Sequence, residues 1–339
     1  AYEMLGNVGV AEYIRELSEK AQDERIMTAK ERQVLLSDIA KDGDNDPADR
    51  IRAVDTLNKM TGEYVAKIQA EVKTSETLSD FVNSIHNVTA DFLEGTTASG
   101  KTTVGAGIKF MRMVSANRKK LHVIAAKTTG KAEETIIQQD NGILDLHSNA
   151  RYFGNGDKDY KLPHIKFEGK IIYVLGYDNK NKWEMVLGAQ FGCVYIDEIN
   201  TADIEFVREM STRNDYLMAT LNPDDPSLPV YKEFVNRSRP YSKYACDIPE
   251  EITKELTEEP VPNWRYWFFT FRDNLSLTED DIQRKIAAAP KGTKLYKNKI
   301  LGLRGRATGL VFDLQPRNII SLSTAQGFKF EHFSAGLDT

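Results

Sequence analysis

Apolar residues along the chain change their spacing near residue 88. Before that point they recur every three or four residues, which marks helix faces. The stretches Val10 to Leu17 and Thr28 to Leu36 follow this rule, and Thr28 with Glu31 is set as a capping box. A polar break at Asp42-Gly43-Asp44-Asn45-Asp46-Pro47 separates them from a third helical stretch over 48–70, with Ile51, Val54, Leu57 and Met60 on one face and an interruption at Gly62. No strand pattern precedes residue 74, and 73–77 reads as a linker. Beyond residue 88, short β-rich runs alternate with amphipathic helices. Strands are expected at 88–93, 121–126, 170–175, 193–196, 216–220 and 267–271, and helices at 101–115, 132–141, 202–211, 278–288 and 293–301. That alternation predicts an α/β fold: a mainly parallel sheet with helices on both faces, preceded by a small helical segment. The division expected is 1–73 helical, 74–87 linker and lead-in, 88–332 the α/β domain, and 333–339 the start of a further domain.

Composition narrows the class. No apolar run approaches the roughly 18 residues that a membrane span needs, so no membrane partner is expected. The N-terminal Ala1-Tyr2-Glu3-Met4 lacks a secretory pattern, and two cysteines, Cys193 and Cys246, form no framework, which fits a reducing cytoplasm. His86, His122, His147, His164 and His332 lack ligand spacing, so no metal is expected beyond one carried in by nucleotide. The net charge of −5 has the wrong sign for wrapping DNA by bulk electrostatics. Of this, −4 falls in residues 1–73, and the remainder is nearly balanced, so any DNA contact must be local.

The chemistry concentrates in three strand ends. Gly95-Thr96-Thr97-Ala98-Ser99-Gly100-Lys101-Thr102-Thr103 follows an apolar run and opens a helix, the context in which G-x-x-x-x-G-K-[ST] cradles phosphates. Backbone N–H groups and the helix's positive end face the anion, Lys101 reaches the β and γ oxygens, and the Thr102 hydroxyl can ligate Mg²⁺. Gly192-Cys193-Val194-Tyr195-Ile196-Asp197-Glu198 is an apolar strand ending in two acids. Asp197 is expected in the Mg²⁺ shell and Glu198 as the group that polarises a water attacking the γ-phosphate. Tyr216 to Pro223 is a third buried strand, expected between the other two, with Thr220 and Asn222 facing the γ-phosphate as a sensor of hydrolysis. The fold is therefore expected to be a strand-inserted P-loop NTPase that binds ATP with Mg²⁺.

These motifs, with Phe268-Phe269-Thr270-Phe271-Arg272-Asp273-Asn274, resemble in order and spacing those of bacteriophage large terminase subunits. Gly302-Leu303-Arg304-Gly305 and Gly309-Leu310-Val311-Phe312 are similar to the segment closing their ATPase domain. Ser334 to Asp338 resembles the first strand of their nuclease, with Asp338 matching its first metal-binding acid and the other acids absent. The resemblance implies an ATP-hydrolysing DNA-packaging motor without a nuclease, acting in the host cytoplasm on double-stranded DNA, in a homo-oligomeric ring docked on a portal protein. Residues 10–19, 36–40 and 49–62 are similar to the C-terminal half of the terminase small subunit, implying either two subunits joined in one chain or a lead-in peculiar to this one. Related terminases often carry an arginine where Ala98 stands, so another cation is expected to act in its place. Arg118, Arg151, Arg208 and Arg213 are the candidates, and Arg151 is preferred, projecting toward a neighbouring subunit. Two alternatives remain open: another P-loop enzyme, such as a helicase or nucleotide kinase, and a non-catalytic nucleotide-binding assembly protein.

Overall fold

The computed structural model describes residues 29–61, 75–186 and 188–305. The helix expected at 10–17, the segment 309–312 and the nuclease-like strand at 334–338 lie outside the described residues. The chain divides into two compact units, Ala1–Lys73 and Thr74–Thr339.

In the first unit, helices Ala29–Lys41 and Pro47–Thr61 pack on one another across the polar break. Asp46 caps the second helix, its Oδ1 accepting from the Ala48 amide at 2.7 Å, and Arg50 Nε returns to the Ala40 carbonyl at 3.0 Å. Ala53 is buried, whereas Ile51 and Val54, expected on the apolar face, remain exposed.

In the second unit nine strands form one sheet: β1 (Ala90–Gly95), β2 (Leu121–Ala126), β3 (Arg151–Phe153), β4 (His164–Phe167), β5 (Lys170–Gly176), β6 (Cys193–Ile196), β7 (Tyr216–Leu221), β8 (Arg239–Pro240) and β9 (Trp264–Phe269). Their order is β3-β4-β5-β2-β6-β7-β1-β9-β8. Among the described residues every pairing from β5 to β8 is parallel, and β4 alone is reversed, pairing antiparallel with both β3 and β5. As expected, β7 is inserted between β1 and β6.

The sheet is covered on both faces, so its central strands are apolar throughout rather than alternating. On one face Phe92, Val123, Val194, Ile196 and Leu217 pack against Phe206, Val207 and Met210 of the helix Ile204–Ser211. On the other runs the helix over 101–116, whose Phe110 ring meets Tyr195 at 5.8 Å. Here Lys109 and Asp91, both fully buried, pair at 2.6 Å. Tyr216 OH and Trp267 Nε1 donate to the same carboxylate, at 2.6 and 2.7 Å. Buried charges survive only when paired and hydrogen-bonded, and this pair ties β1, β7 and β9 to the helix.

Several expectations need correction. Much of 74–87 is not linker: Ser75 Oγ caps a helix, Glu76–Asn83, by accepting from the Leu78 amide, and Leu78, Phe81 and Val82 are buried at the three- and four-residue spacing of a helix face. Strand β9 starts and stops earlier than 267–271, because Thr270 and Asp273 form a capping box that turns the chain into a 3₁₀ helix. The helix expected at 132–141 begins at Thr129, where Thr128 caps it, and ends at Ile137. Strands β3, β4 and β8 were not expected.

Candidate nucleotide site

Parallel strands β1, β6 and β7 all end at one edge of the sheet, and each delivers its motif there. The loop after β1 bends because Gly95 adopts φ +149°, and a Cβ at that position would lie 1.8 Å from the Phe269 carbonyl oxygen. No other residue fits so close an approach. The neighbouring Thr96 amide donates to that same oxygen at 2.9 Å.

Lys101 is buried and folds back over its own loop. Its Nζ donates to the Thr96 carbonyl at 2.6 Å, Ser99 Oγ at 3.0 Å, the Gly95 carbonyl at 3.3 Å and Asn222 Oδ1 at 3.4 Å. Burial pushes its ammonium down to about 7, partly offset by the carboxylates of Asp197 and Glu94. Asp197 Oδ1 accepts from Thr220 Oγ1 at 2.7 Å, Tyr195 OH at 3.0 Å and Thr102 Oγ1 at 3.4 Å. Glu198 stands at φ 48°, ψ 51°. The left-handed region costs a residue with a β-carbon about 1–2 kcal/mol, a strain that persists only where the surroundings impose it. Here they do: the Glu198 amide donates to Thr220 Oγ1 at 3.4 Å, and its carbonyl accepts from Thr201 Oγ1 at 2.9 Å.

A depression of about 310 Å³ gathers Thr97, Ala98, Ser99, Gly100, Lys101, Thr102, Thr103, Asp197, Glu198, Thr220 and Asn222. The expected site residues thus converge, with three exceptions. Gly95 lies beneath the loop, and Thr96 lines a larger cavity of about 620 Å³ beside it. Arg151 is elsewhere. It opens β3 opposite Lys166, which faces Ile171 at the amino-terminal start of β5, so Arg151 sits at the sheet edge away from the phosphate loop. It cannot serve the site of its own chain. Arg208 is held by Glu205 and Glu233, and Arg213 by Glu209.

The sequence did not reveal what braces the loop. Glu94, one residue before Gly95, is fully buried and takes Arg304 Nε at 3.0 Å and Nη2 at 2.7 Å, with Tyr266 OH at 2.7 Å and Tyr231 OH at 3.2 Å. Arg304 Nη1 continues to Asn236 Oδ1 at 2.7 Å and Glu255 Oε2 at 2.8 Å. The Gly305 amide donates to the Asp224 carbonyl, two residues after Asn222, at 3.0 Å. The Thr97 amide donates to the Lys299 carbonyl at 3.1 Å. Gly302, at φ +68°, packs where a Cβ would meet the Phe268 ring at 2.9 Å. The only signal was the resemblance of Gly302 to Gly305 to a closing segment.

A family model described as terminase large subunit, T4-like-virus type, N-terminal, matches residues 92–319, most of the chain. The chain belongs to this family. Among solved structures, the ADP complex of the large terminase from a thermophilic bacteriophage is 18% identical, over 68% of this chain and 53% of that one, with a TM-score of 0.49. A variant of the large terminase ATPase domain of Thermus phage P74-26 is 11% identical over 69% of this chain and 95% of that domain, with a TM-score of 0.50. At such identity the likeness shows the terminase ATPase fold alone. The chain spans about half the length of the thermophilic-phage terminase. No curated protein matches it.

Proposed function

We propose that this terminase chain hydrolyses ATP to drive double-stranded DNA into a capsid. The observation that supports the reading is the convergence of Lys101, Thr102, Asp197, Glu198 and Asn222 on one depression. Lys101 binds the β and γ oxygens, and the loop amides and the helix start orient the chain of phosphates. Thr102 Oγ1 and Asp197 Oδ1 are hard oxygen donors, the kind magnesium prefers, and would hold the ion that accompanies the nucleotide. Among the described residues no three His, Cys, Asp or Glu cluster as a metal site, but magnesium bound with phosphates needs only one or two protein oxygens. When present the ion neutralises developing phosphate charge. Glu198 takes a proton from the attacking water, and Asn222 reads the γ-phosphate through its contact with Lys101. The larger cavity, walled by Phe268, Phe271, Ile282, Ile286 and Ile300, has apolar room for the base.

The reading includes a ring on a portal protein, in which Arg151 acts in trans on a neighbouring copy. The helical unit is the terminase small-subunit counterpart. Glu198→Gln tests the chemical reading: nucleotide binding persists while turnover falls by about 10²-fold or more, the usual worth of a general base. Hydrolysis near the parental rate would remove Glu198 from that role. Phosphate release without an acceptor, stimulated by duplex DNA, separates this reading from a kinase.

A further inference from the structure

The depression is unbalanced in charge. Asp197 and Glu198 both line it, and a triphosphate brings more negative charge than its magnesium neutralises. Lys101, already occupied by loop carbonyls, is among the described residues the only buried cation lining it. Close like charges repel strongly where water is excluded, and hydrolysis further redistributes charge on the γ oxygens.

A second cation stands on the opposite wall. The chain leaves the carboxyl end of β2, next to β6, and Thr128 caps the following helix, its Oγ1 accepting from the Lys131 amide at 3.0 Å. Lys131 and Thr135 are four residues apart, the spacing of one helix face, Gln139 follows just beyond the helix end at Ile137, and all three line the depression. Thr135 Oγ1 is turned onto the Lys131 carbonyl at 2.8 Å, which leaves the Lys131 ammonium as the foremost donor of this wall. Lys131 is exposed, and no carboxylate among the described residues forms an ion pair with it. Some surface lysines of this unit, Lys119, Lys166, Lys243 and Lys294, are paired with an acid, and others, such as Lys127 and Lys232, are not paired among the described residues; what sets Lys131 apart is that it lines the depression.

We propose that Lys131 is a second phosphate-binding cation, which closes onto the terminal phosphate of bound ATP and sets the hydrolysis rate of the single chain. The proposal rests on the hydrolytic reading above. The water oxygen bonds to the γ-phosphorus as the bond from that phosphorus to the bridging oxygen breaks. The water's proton passes to Glu198, ADP departs with the bridging electron pair, and Lys131 keeps its protons while holding γ oxygens in both states. An arginine in trans would add to this rate only on assembly.

Three measurements test it, on parental chain, Lys131→Ala and Lys131→Arg: affinity for MgADP, affinity for a slowly hydrolysed triphosphate with magnesium, and single-chain turnover at high dilution. Lys131→Ala is expected to bind MgADP within twofold of parent, since ADP lacks the group contacted. It should bind the triphosphate several-fold more weakly and lose about tenfold or more in kcat, a fraction of what an arginine finger contributes. Lys131→Arg should restore most of both losses. Unchanged kcat in Lys131→Ala, or equal weakening for diphosphate and triphosphate, overturns the proposal and leaves the hydrolytic reading standing. If the parent does not hydrolyse ATP, or Lys101→Ala hydrolyses as fast as parent, the hydrolytic reading fails and this proposal with it.

Discussion

If Lys101 grips the phosphates as proposed, nucleotide binding should take up a proton, because this lysine is held near neutrality before they arrive. Burial lowers Lys101 to about 7, against about 10.4 for a free lysine. Its nitrogen serves four acceptors with at most three protons. The sign follows directly. Below pH 7 Lys101 is already charged and binding takes up almost nothing. Above pH 7 it is mostly neutral when the site is empty, and the incoming phosphates raise its pKa again by supplying opposite charge. At pH 8 about nine in ten chains start neutral, so MgADP should bind with an uptake of about 0.9 proton, falling to about 0.1 at pH 6. Affinity should weaken by about tenfold per pH unit above 7, or roughly 1.4 kcal/mol. Calorimetry in two buffers of different ionisation enthalpy counts the protons, using MgADP because it is not turned over. Lys101→Met should abolish the uptake. An uptake near zero at pH 8 in the parent, or one that Lys101→Met preserves, would refute the reasoning.

Two further outcomes follow from the contacts around the loop. Arg304→Ala strands Glu94 as a buried carboxylate, which should cost about 3–5 kcal/mol and, at roughly 2–4 °C per kcal/mol for a unit of this size, lower Tm by roughly 6–20 °C. Glu94→Gln combined with Arg304→Met should recover part of that loss, and a cost below about 1 kcal/mol for Arg304→Ala, read by urea denaturation, would show that the pair braces nothing. Asn222→Ala should leave nucleotide binding nearly intact and reduce DNA translocation more than hydrolysis, because Asn222 touches Lys101 on one side and leads to Asp224, bonded to Gly305 and Lys294, on the other. Equal losses in a packaging assay run beside a phosphate-release assay would make Asn222 an ordinary site residue.

Most of the residues that gather in the depression were legible because their motifs are local. The phosphate loop needs consecutive residues, and the acids follow a strand whose limits at Cys193 and Ile196 are drawn by an apolar run between a glycine and a carboxylate. Strands β2 and β6 were read with their observed bounds for that reason. β3, β4 and β8 are two to four residues long and carry charged or proline positions, so no period can emerge from them. The Glu94 brace was hidden by distance in sequence: its ligands Tyr231, Tyr266 and Arg304 come from three segments, and nothing in the sequence around Glu94 distinguishes a buried carboxylate from one preceding a surface turn.

The source of the second positive charge shows what sequence order could not decide. Arg151 precedes Tyr152-Phe153-Gly154 in what reads as a polar loop, and such a loop could end at either edge of a sheet. Two antiparallel pairings settle the matter: β4 runs back along β5, β3 runs back along β4, and Arg151 is set level with the amino-terminal start of β5. A strand rises about 3.3 Å per residue, so the seven residues of β5 put roughly 20 Å between that start and the edge where the phosphate loop lies. No rotamer of an arginine covers that. Lys131 was not among the candidates, because the resemblance called for an arginine and because the helix was expected only from Ala132, which left Lys131 in the connection before it. The Thr128 hydroxyl starts the helix three residues earlier, and that shift turns Lys131 from a loop residue into the first member of the face it shares with Thr135. A cation on a capped helix at the carboxyl edge lines the same depression as Asp197. Single-chain hydrolysis should therefore respond to position 131 and not to position 151, and any effect of Arg151→Ala should appear only when chains assemble.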